Sequence, residues 1–198
     1  MRTKTPKLVL AAILVALAVA LSFAKLWEMP LGGSVTLGSM LPIMLLSLAL
    51  GIKWGLAGSL VFALFQLAQA LIEGNVFPYC ETGTTLVICA LFDYLFPFAL
   101  LGIAGILRRV RLGKFRHAGA YAGIVLVCLL RFLSHYITGV VIWGQWAPEG
   151  MGKYLYSLLY NGGYMLPELG ITLVLAALLL ESPEMRRLIN LEVDRDLF

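Results

Sequence analysis

The sequence predicts an all-α, polytopic membrane protein of six transmembrane helices with both termini cytoplasmic, and three observations carry that reading. Hydrophobic residues make up 61% of the 198 positions, and exchanging Tyr for Gly to match the usual apolar set gives roughly 67%, against about 45 to 50% in soluble domains. Charged residues are 13%, about half the usual share, and they gather at the ends and in one connection instead of along every surface. Mean hydropathy is +0.91, and the long apolar runs are bounded by Gly, Pro or charge. Six helices of about 20 residues use about 120 positions, which leaves no room for a soluble domain. The chain therefore reads as one membrane-embedded domain over 1–198.

The first run, about 8 to 24, follows the basic stretch MRTKTPK. A signal peptide is the competing reading, because Ser22, Phe23 and Ala24 resemble a cleavage site. The run is longer than a typical signal core, and retaining it places both termini on one side. Ala12, Ala16 and Ala20 recur every four residues along it, a spacing that lets another helix pack closely. That helix belongs either to a partner or to the protein's own bundle.

The second and third runs are about 37 to 52 and 54 to 73, the fourth 85 to 107, the fifth 118 to 143 and the sixth 154 to 180. Arg2, Lys4, Lys7, Lys53, Arg108, Arg109, Arg111, Lys114, Arg116, Arg186, Arg187 and Arg195 then fall on one side. Basic residues near span ends stay cytoplasmic, which fixes the expected orientation. Lys25 and Lys153 lie opposite. The outer connections, about 25 to 36, 74 to 84 and 144 to 153, carry MPLGGSVTLGS (29 to 39), EGNVFPYCETGTT (73 to 85) and WGQWAPEG (143 to 150), rich in Gly, Pro, aromatics and acids. The inner run RRVRLGKFRH (108 to 117) reads as a topology signal touching lipid headgroups, not as a nucleic-acid surface.

Polar groups inside the spans point to function. Asp93 lies in the fourth span, and Arg131 and His135 lie in the fifth. A charge at a helix centre costs about 2.5 to 3.5 kcal/mol on insertion scales, so these groups face protein, water or a ligand. Arg131, His135, Gly139 and Trp143 recur every four residues on one helix face, a stripe of about 18 Å from mid-membrane to the outer rim. Gly139 would leave a gap for a ligand at the backbone. Asp93 lies eight residues inside Thr85 and His135 eight inside Trp143, so the two should sit at similar depth. The sixth span opens with Tyr156, Tyr160, Asn161 and Tyr164 before Pro167 and Glu168. Plain structural readings compete: the aromatics as an interfacial belt, His135 as a helix–helix hydrogen bond, Arg131 as an ion pair with Asp93 or Glu168.

Together these residues suit a small, flat, cationic or nitrogen-rich molecule, since a lone carboxylate accepts N–H bonds and Trp and Tyr faces attract cations by about 0.5 to 2 kcal/mol. This is recognition chemistry, with no enzyme signature beside it. No GxxxxGK[ST], HExxH or GxSxG sequence occurs, so any ATP-driven step must come from a partner. Cys80, Cys89 and Cys128 form no CxxC pair, and read as structural, not as a disulfide framework or zinc site. No metal or cofactor is indicated.

These stretches resemble the thiamine-specific substrate-binding (S) component, the ThiT family, of energy-coupling factor transporters. The resemblance rests on GGSVTLGSMLPIMLLSLALGIKWGLAG (32 to 58), LFDYLFPFALLGIAG (91 to 105) and LLRFLSHYITGVVIWGQWAPEGMGKYLYSLLYNGGYMLPE (129 to 168). It implies that Asp93, Tyr94, His135, Trp143, Tyr156 and Asn161 line a thiamine pocket, with the acid holding the aminopyrimidine and aromatic faces the rings. It also implies that the stripe of Ala12 and Ala16 docks on a transmembrane coupling subunit served by two ABC-type ATPases. Asp93 stands where some members carry Glu, Phe62 stands for a third-helix Trp, and the loop from Glu73 to Thr85 is longer. The expected function is thiamine capture at the bacterial cell membrane. The alternatives are another vitamin or thiamine precursor, a stand-alone proton-coupled carrier using Asp93, Arg131 and His135, and an intramembrane enzyme.

Overall fold

The computed structural model describes residues 4–112 and 117–185. Lys114, Arg116 and the basic residues at both extreme ends, on which the orientation argument partly rests, lie outside the described residues.

Six helices stand where six apolar runs were expected: α1 (Lys4–Ser22), α2 (Leu41–Leu50), α3 (Ile52–Glu73), α4 (Gly83–Leu107), α5 (Ala118–Val141) and α6 (Lys153–Leu180). Five of them, with 18 to 28 residues each in the apolar window, are long enough to cross a bilayer. Their surfaces carry the large apolar side chains that a soluble protein hides. Leu8, Leu64, Ile72, Leu166 and Leu178 are all exposed, as they should be where the solvent is hydrocarbon.

The run at 37 to 52 holds a helix shorter than the others. Its helix, α2, has ten residues, about 15 Å of rise against the roughly 30 Å of a hydrocarbon core. All ten are buried. It is apolar on every face because α1, α3 and α4 surround it, which hydropathy cannot separate from a lipid-facing helix. The helix is cut short at both ends. Residues 34–36 are committed to a strand, and Gly51, at φ 90°, breaks the backbone before α3 begins. Ser47 ties α2 to the C-terminal half of α4: its hydroxyl donates to the Gly102 carbonyl at 2.6 Å and accepts from the Gly105 N–H at 2.9 Å.

The first connection, expected to face outward, is also unlike the all-helical expectation. Strands β1 (Lys25–Glu28) and β2 (Ser34–Thr36) form an antiparallel hairpin, with Trp27 opposite Val35 and Glu28 opposite Ser34. Its turn closes through the Met29 N–H donating to the Gly33 carbonyl at 2.6 Å. A polar latch holds the open side. Lys25 Nζ pairs with Glu28 at 2.9 Å and with Glu73, at the end of α3, at 2.8 Å, and the Asn75 amide donates to Glu28 at 2.9 Å. Burial alone would lower the Lys25 pKa, but its bonds and charges with Glu73 and Glu28 outweigh that and hold it above the ordinary lysine value. A raised folded-state pKa means that, while the carboxylates are ionised, the lysine's share of the latch is fully present below about pH 10.5 and is lost as pH rises through the folded value.

Candidate ligand-binding site

The centre of the site is a widened turn in α4. Helical geometry changes from α over Gly83–Cys89 to π over Ala90–Leu95, before Pro97. In the π register the Phe96 N–H reaches the Leu91 carbonyl, so the next bond would run from residue 97 to Phe92. Pro97 has no N–H to give. Ser134 of α5 supplies the missing donor, with its hydroxyl 2.6 Å from the Phe92 carbonyl. This bond fixes the turn that carries Asp93. Ser134→Ala should therefore lower thermal stability by the equivalent of about 1 to 3 kcal/mol, the penalty of a buried unsatisfied acceptor, and a melting curve indistinguishable from wild type would remove Ser134 from this role.

Asp93 is buried, and among the described residues three side chains direct a polar group at its carboxylate. Trp143 Nε1–H donates to Oδ2 at 2.9 Å, His135 Nδ1 lies 3.2 Å from Oδ1, and the Thr138 hydroxyl donates to the same Oδ1. A carboxylate has about four lone-pair sites. One remains for a ligand N–H. The equal depth expected of Asp93 and His135 is thus direct contact. Trp143 differs from the straight-stripe expectation: α5 ends at Val141, and a 3-10 turn over Trp143–Trp146 folds the indole back onto Asp93 instead of leaving it at the rim.

Arg131 makes neither expected ion pair. Among the described residues its guanidinium donates from Nε to His135 Nε2 at 3.3 Å and from a terminal nitrogen to the Met40 sulfur, and it lies 4.3 Å over the Phe98 ring. Glu168 serves the hairpin instead, accepting the Thr36 N–H at 2.6 Å and the Thr36 hydroxyl at 2.7 Å.

The second wall comes from α6. Tyr156, Tyr160 and Tyr164 form a ladder of ring contacts at 5.7 and 6.0 Å, and Tyr164 meets the His135 ring edge at 6.1 Å. Asn161 lines the cavity, but its amide is engaged: it donates to the His135 carbonyl at 3.1 Å and to Ser157, and accepts from the Tyr164 hydroxyl at 3.0 Å. Gly139 lines the cavity too, yet leaves no open gap. A Cβ there would stand 2.1 Å from Ser157 Oγ, so the missing side chain is what lets α5 and α6 close on each other.

The hairpin forms the roof. Gly33 N–H donates to the Tyr160 hydroxyl at 3.3 Å, and that hydroxyl donates to the Pro30 carbonyl. A Cβ at Gly33 would meet the Tyr164 ring at 2.7 Å, and one at Gly32 would meet Val76 at 2.2 Å. Tyr94 lines the cavity beside Phe77, ring to ring at 5.4 Å.

The cavity so enclosed contains every binding residue expected from sequence: Asp93, Tyr94, His135, Gly139, Trp143, Tyr156 and Asn161. It also contains residues that sequence reasoning missed, among them Ser157, packed on Gly139, and, from α3, Gln66 and Gln69. Thr138, the third donor to Asp93, is missed as well. Its signal is position, three residues after His135 on the same face. Phe62, the stand-in for a third-helix Trp, does not line the cavity. It is fully buried against Phe98, edge-on at 5.6 Å, and α3 reaches the cavity further along, through Gln66, Gln69, Ala70 and Glu73. Of the partner stripe, Ala12 and Ala16 are exposed while Ala11 and Ala18 are buried.

The model of the thiamine transporter protein family (Thia_YuaJ) matches residues 8–187. The chain belongs to this family. The thiamine transporter ThiT of Bacillus subtilis (strain 168) is 33% identical over 189 residues, covering 90% of this chain and 93% of that protein. The thiamine transporter ThiT of Lacticaseibacillus paracasei is 35% identical over 97 residues, 46% of this chain and 48% of its own. Among solved structures, ThiT from Listeria monocytogenes superposes with a TM-score of 0.71 at 24% identity, over 92% of this chain and 97% of that one, which shows the shared fold. A Thia_YuaJ member is a transporter, not an enzyme, and a multi-pass protein of the cell membrane.

Proposed function

We propose that this chain is the thiamine-capturing S component of an energy-coupling factor uptake transporter, taking the vitamin beneath its outer loops and relying on a transmembrane coupling subunit and two ABC-type ATPases for energy. One observation carries the ligand choice. The ionisable residues lining the cavity are Lys25 and Arg131 on one side of the balance and Glu73, Asp93 and Glu168 on the other, a net charge of −1 when His135 is neutral. Inside a membrane such an excess is costly unless a cation neutralises it. Thiamine is a monocation with a flat aminopyrimidine, which matches the unused acceptor site on Asp93 and the aromatic walls. Energy must come from elsewhere, because the chain has no phosphate-binding loop. The exposed Ala12 and Ala16 offer the coupling subunit a surface of small residues.

Thiamine added to detergent-purified protein without nucleotide should quench tryptophan fluorescence and saturate at about one ligand per chain, because the Trp143 indole is part of the wall. Riboflavin and biotin should be inert. Saturable quenching by either of these with no response to thiamine would overturn the assignment.

A further inference from the structure

Arg131 is the buried ionisable group for which thiamine capture leaves no direct task. Its position is nevertheless specific: Nε lies 3.3 Å from His135 Nε2, and His135 Nδ1 lies 3.2 Å from Asp93 Oδ1. A guanidinium has donors and no acceptor. The His135 nitrogen facing it must therefore be the unprotonated one, and the ring's single proton sits on Nδ1, directed at the carboxylate. We infer that Arg131 is a positioning residue that holds His135 as the neutral Nδ1–H tautomer, so that the Asp93 carboxylate stays available to a cationic ligand across the pH range in which a free histidine titrates. This rests on the ligand reading above.

The competition is electrostatic. An imidazolium at 3.2 Å would neutralise Asp93 and take the place of the ligand's charge. Asp93 on α4 favours that imidazolium. Arg131, one turn away on α5, opposes it by placing a second positive charge beside the ring and by occupying the lone pair that would take the proton. The other ionisable groups packed around the ring are hydroxyls, Tyr164 of α6 at 6.1 Å between ring centroids and Tyr160 and Tyr94 beyond it. Glu168 of α6 is committed to Thr36. Arg131 is thus the only neighbouring cation that holds the proton off, among the described residues. Its guanidinium is set by Met40 and by the Phe98 ring at 4.3 Å, so the arrangement is built by the residue that precedes α2 and by α4 as well as α5.

Two measurements test this. The chain has two histidines, so His117→Gln leaves a single imidazole for nitrogen NMR of 15N-histidine-labelled, ligand-free protein. The expected spectrum has a protonated Nδ1 and an unprotonated Nε2, unchanged between pH 7.5 and 5.5. A protonated Nε2, or an imidazolium forming in that range, would overturn the inference whatever the ligand. The second measurement is the pH profile of thiamine affinity, each protein compared with itself. Wild type should change less than about twofold between pH 7.5 and 5.5, whereas Arg131→Met should weaken about tenfold, as expected for one competing proton on a histidine with a pKa near 6.5. Arg131→Met with His135→Asn should be flat again. An equally flat profile for Arg131→Met alone would refute the role. If Arg131→Met does not fold, the wild-type spectrum decides. Absence of thiamine binding by wild type at every pH would instead defeat the ligand assignment and leave the tautomer result standing.

Discussion

Asp93→Asn is expected to lose about 1.5 to 3 kcal/mol of thiamine binding, roughly a 10- to 150-fold weaker Kd, while the protein still folds. Two effects combine. The cavity loses the excess negative charge that a cation would neutralise. The amide also brings its own N–H donors to a place where Trp143, His135 and Thr138 already direct three, so one of them is left facing another donor. Isothermal titration calorimetry on purified protein measures the loss, with circular dichroism confirming the helical fold. Affinity within threefold of wild type would remove Asp93 from the ionic role. The same residue separates a receptor from a proton-coupled carrier. The contact of Asp93 with His135 and of His135 with Arg131 is the geometry a relay would need, so wild-type protein reconstituted alone in vesicles is the deciding comparison. Thiamine accumulation driven by a pH gradient, without any coupling module, would defeat the proposed dependence on partner ATPases.

Ala16→Trp is expected to abolish thiamine uptake by cells while leaving thiamine affinity of the purified chain within about twofold. Ala16 and Ala12 are exposed on α1, whereas the alanines that pack into the bundle are Ala11 and Ala18. An indole at position 16 therefore points away from the protein's own core and blocks the close helix approach that small residues permit. Uptake of labelled thiamine and equilibrium binding would be measured on the same variant. Loss of both together would return the stripe to the internal packing of α1, and retention of both would place the partner elsewhere.

The site was legible in sequence to the extent that it depends on spacing along one helix. Counting eight residues inward on two helices placed Asp93 and His135 at one depth, and they are in contact, because a helix entering the membrane converts residue number into depth at about 1.5 Å per residue. Spacing fails where the helix is irregular. Trp143 was expected at the rim, but α5 stops at Val141 and the following turn brings the indole back to Asp93. Gly139 had the composition of a ligand gap. Whether a glycine faces a ligand or a neighbouring helix depends on what stands opposite, here Ser157. Phe62 shows the same limit, since residues one turn apart on α3 face either the core or the cavity, and the apolar pattern of a membrane helix does not mark which.

What the sequence determined by itself is the class of the molecule and the identity of its buried ionisable groups. Hydrocarbon cannot satisfy backbone polar groups, so long apolar runs have to be helices, and a carboxylate, a guanidinium and an imidazole inside such runs have to find partners. Tertiary structure alone decided who those partners are. It put Arg131 on His135 instead of on either acid, gave Glu168 to the hairpin, supplied Ser134 and Thr138 from a neighbouring helix, and turned one apolar run into the wholly enclosed α2. The physical reason is common to all of these. Hydropathy measures the cost of leaving water and is nearly blind to whether the new surroundings are lipid or protein, whereas a buried hydrogen bond depends on the position of a second group that only the packing of distant helices provides.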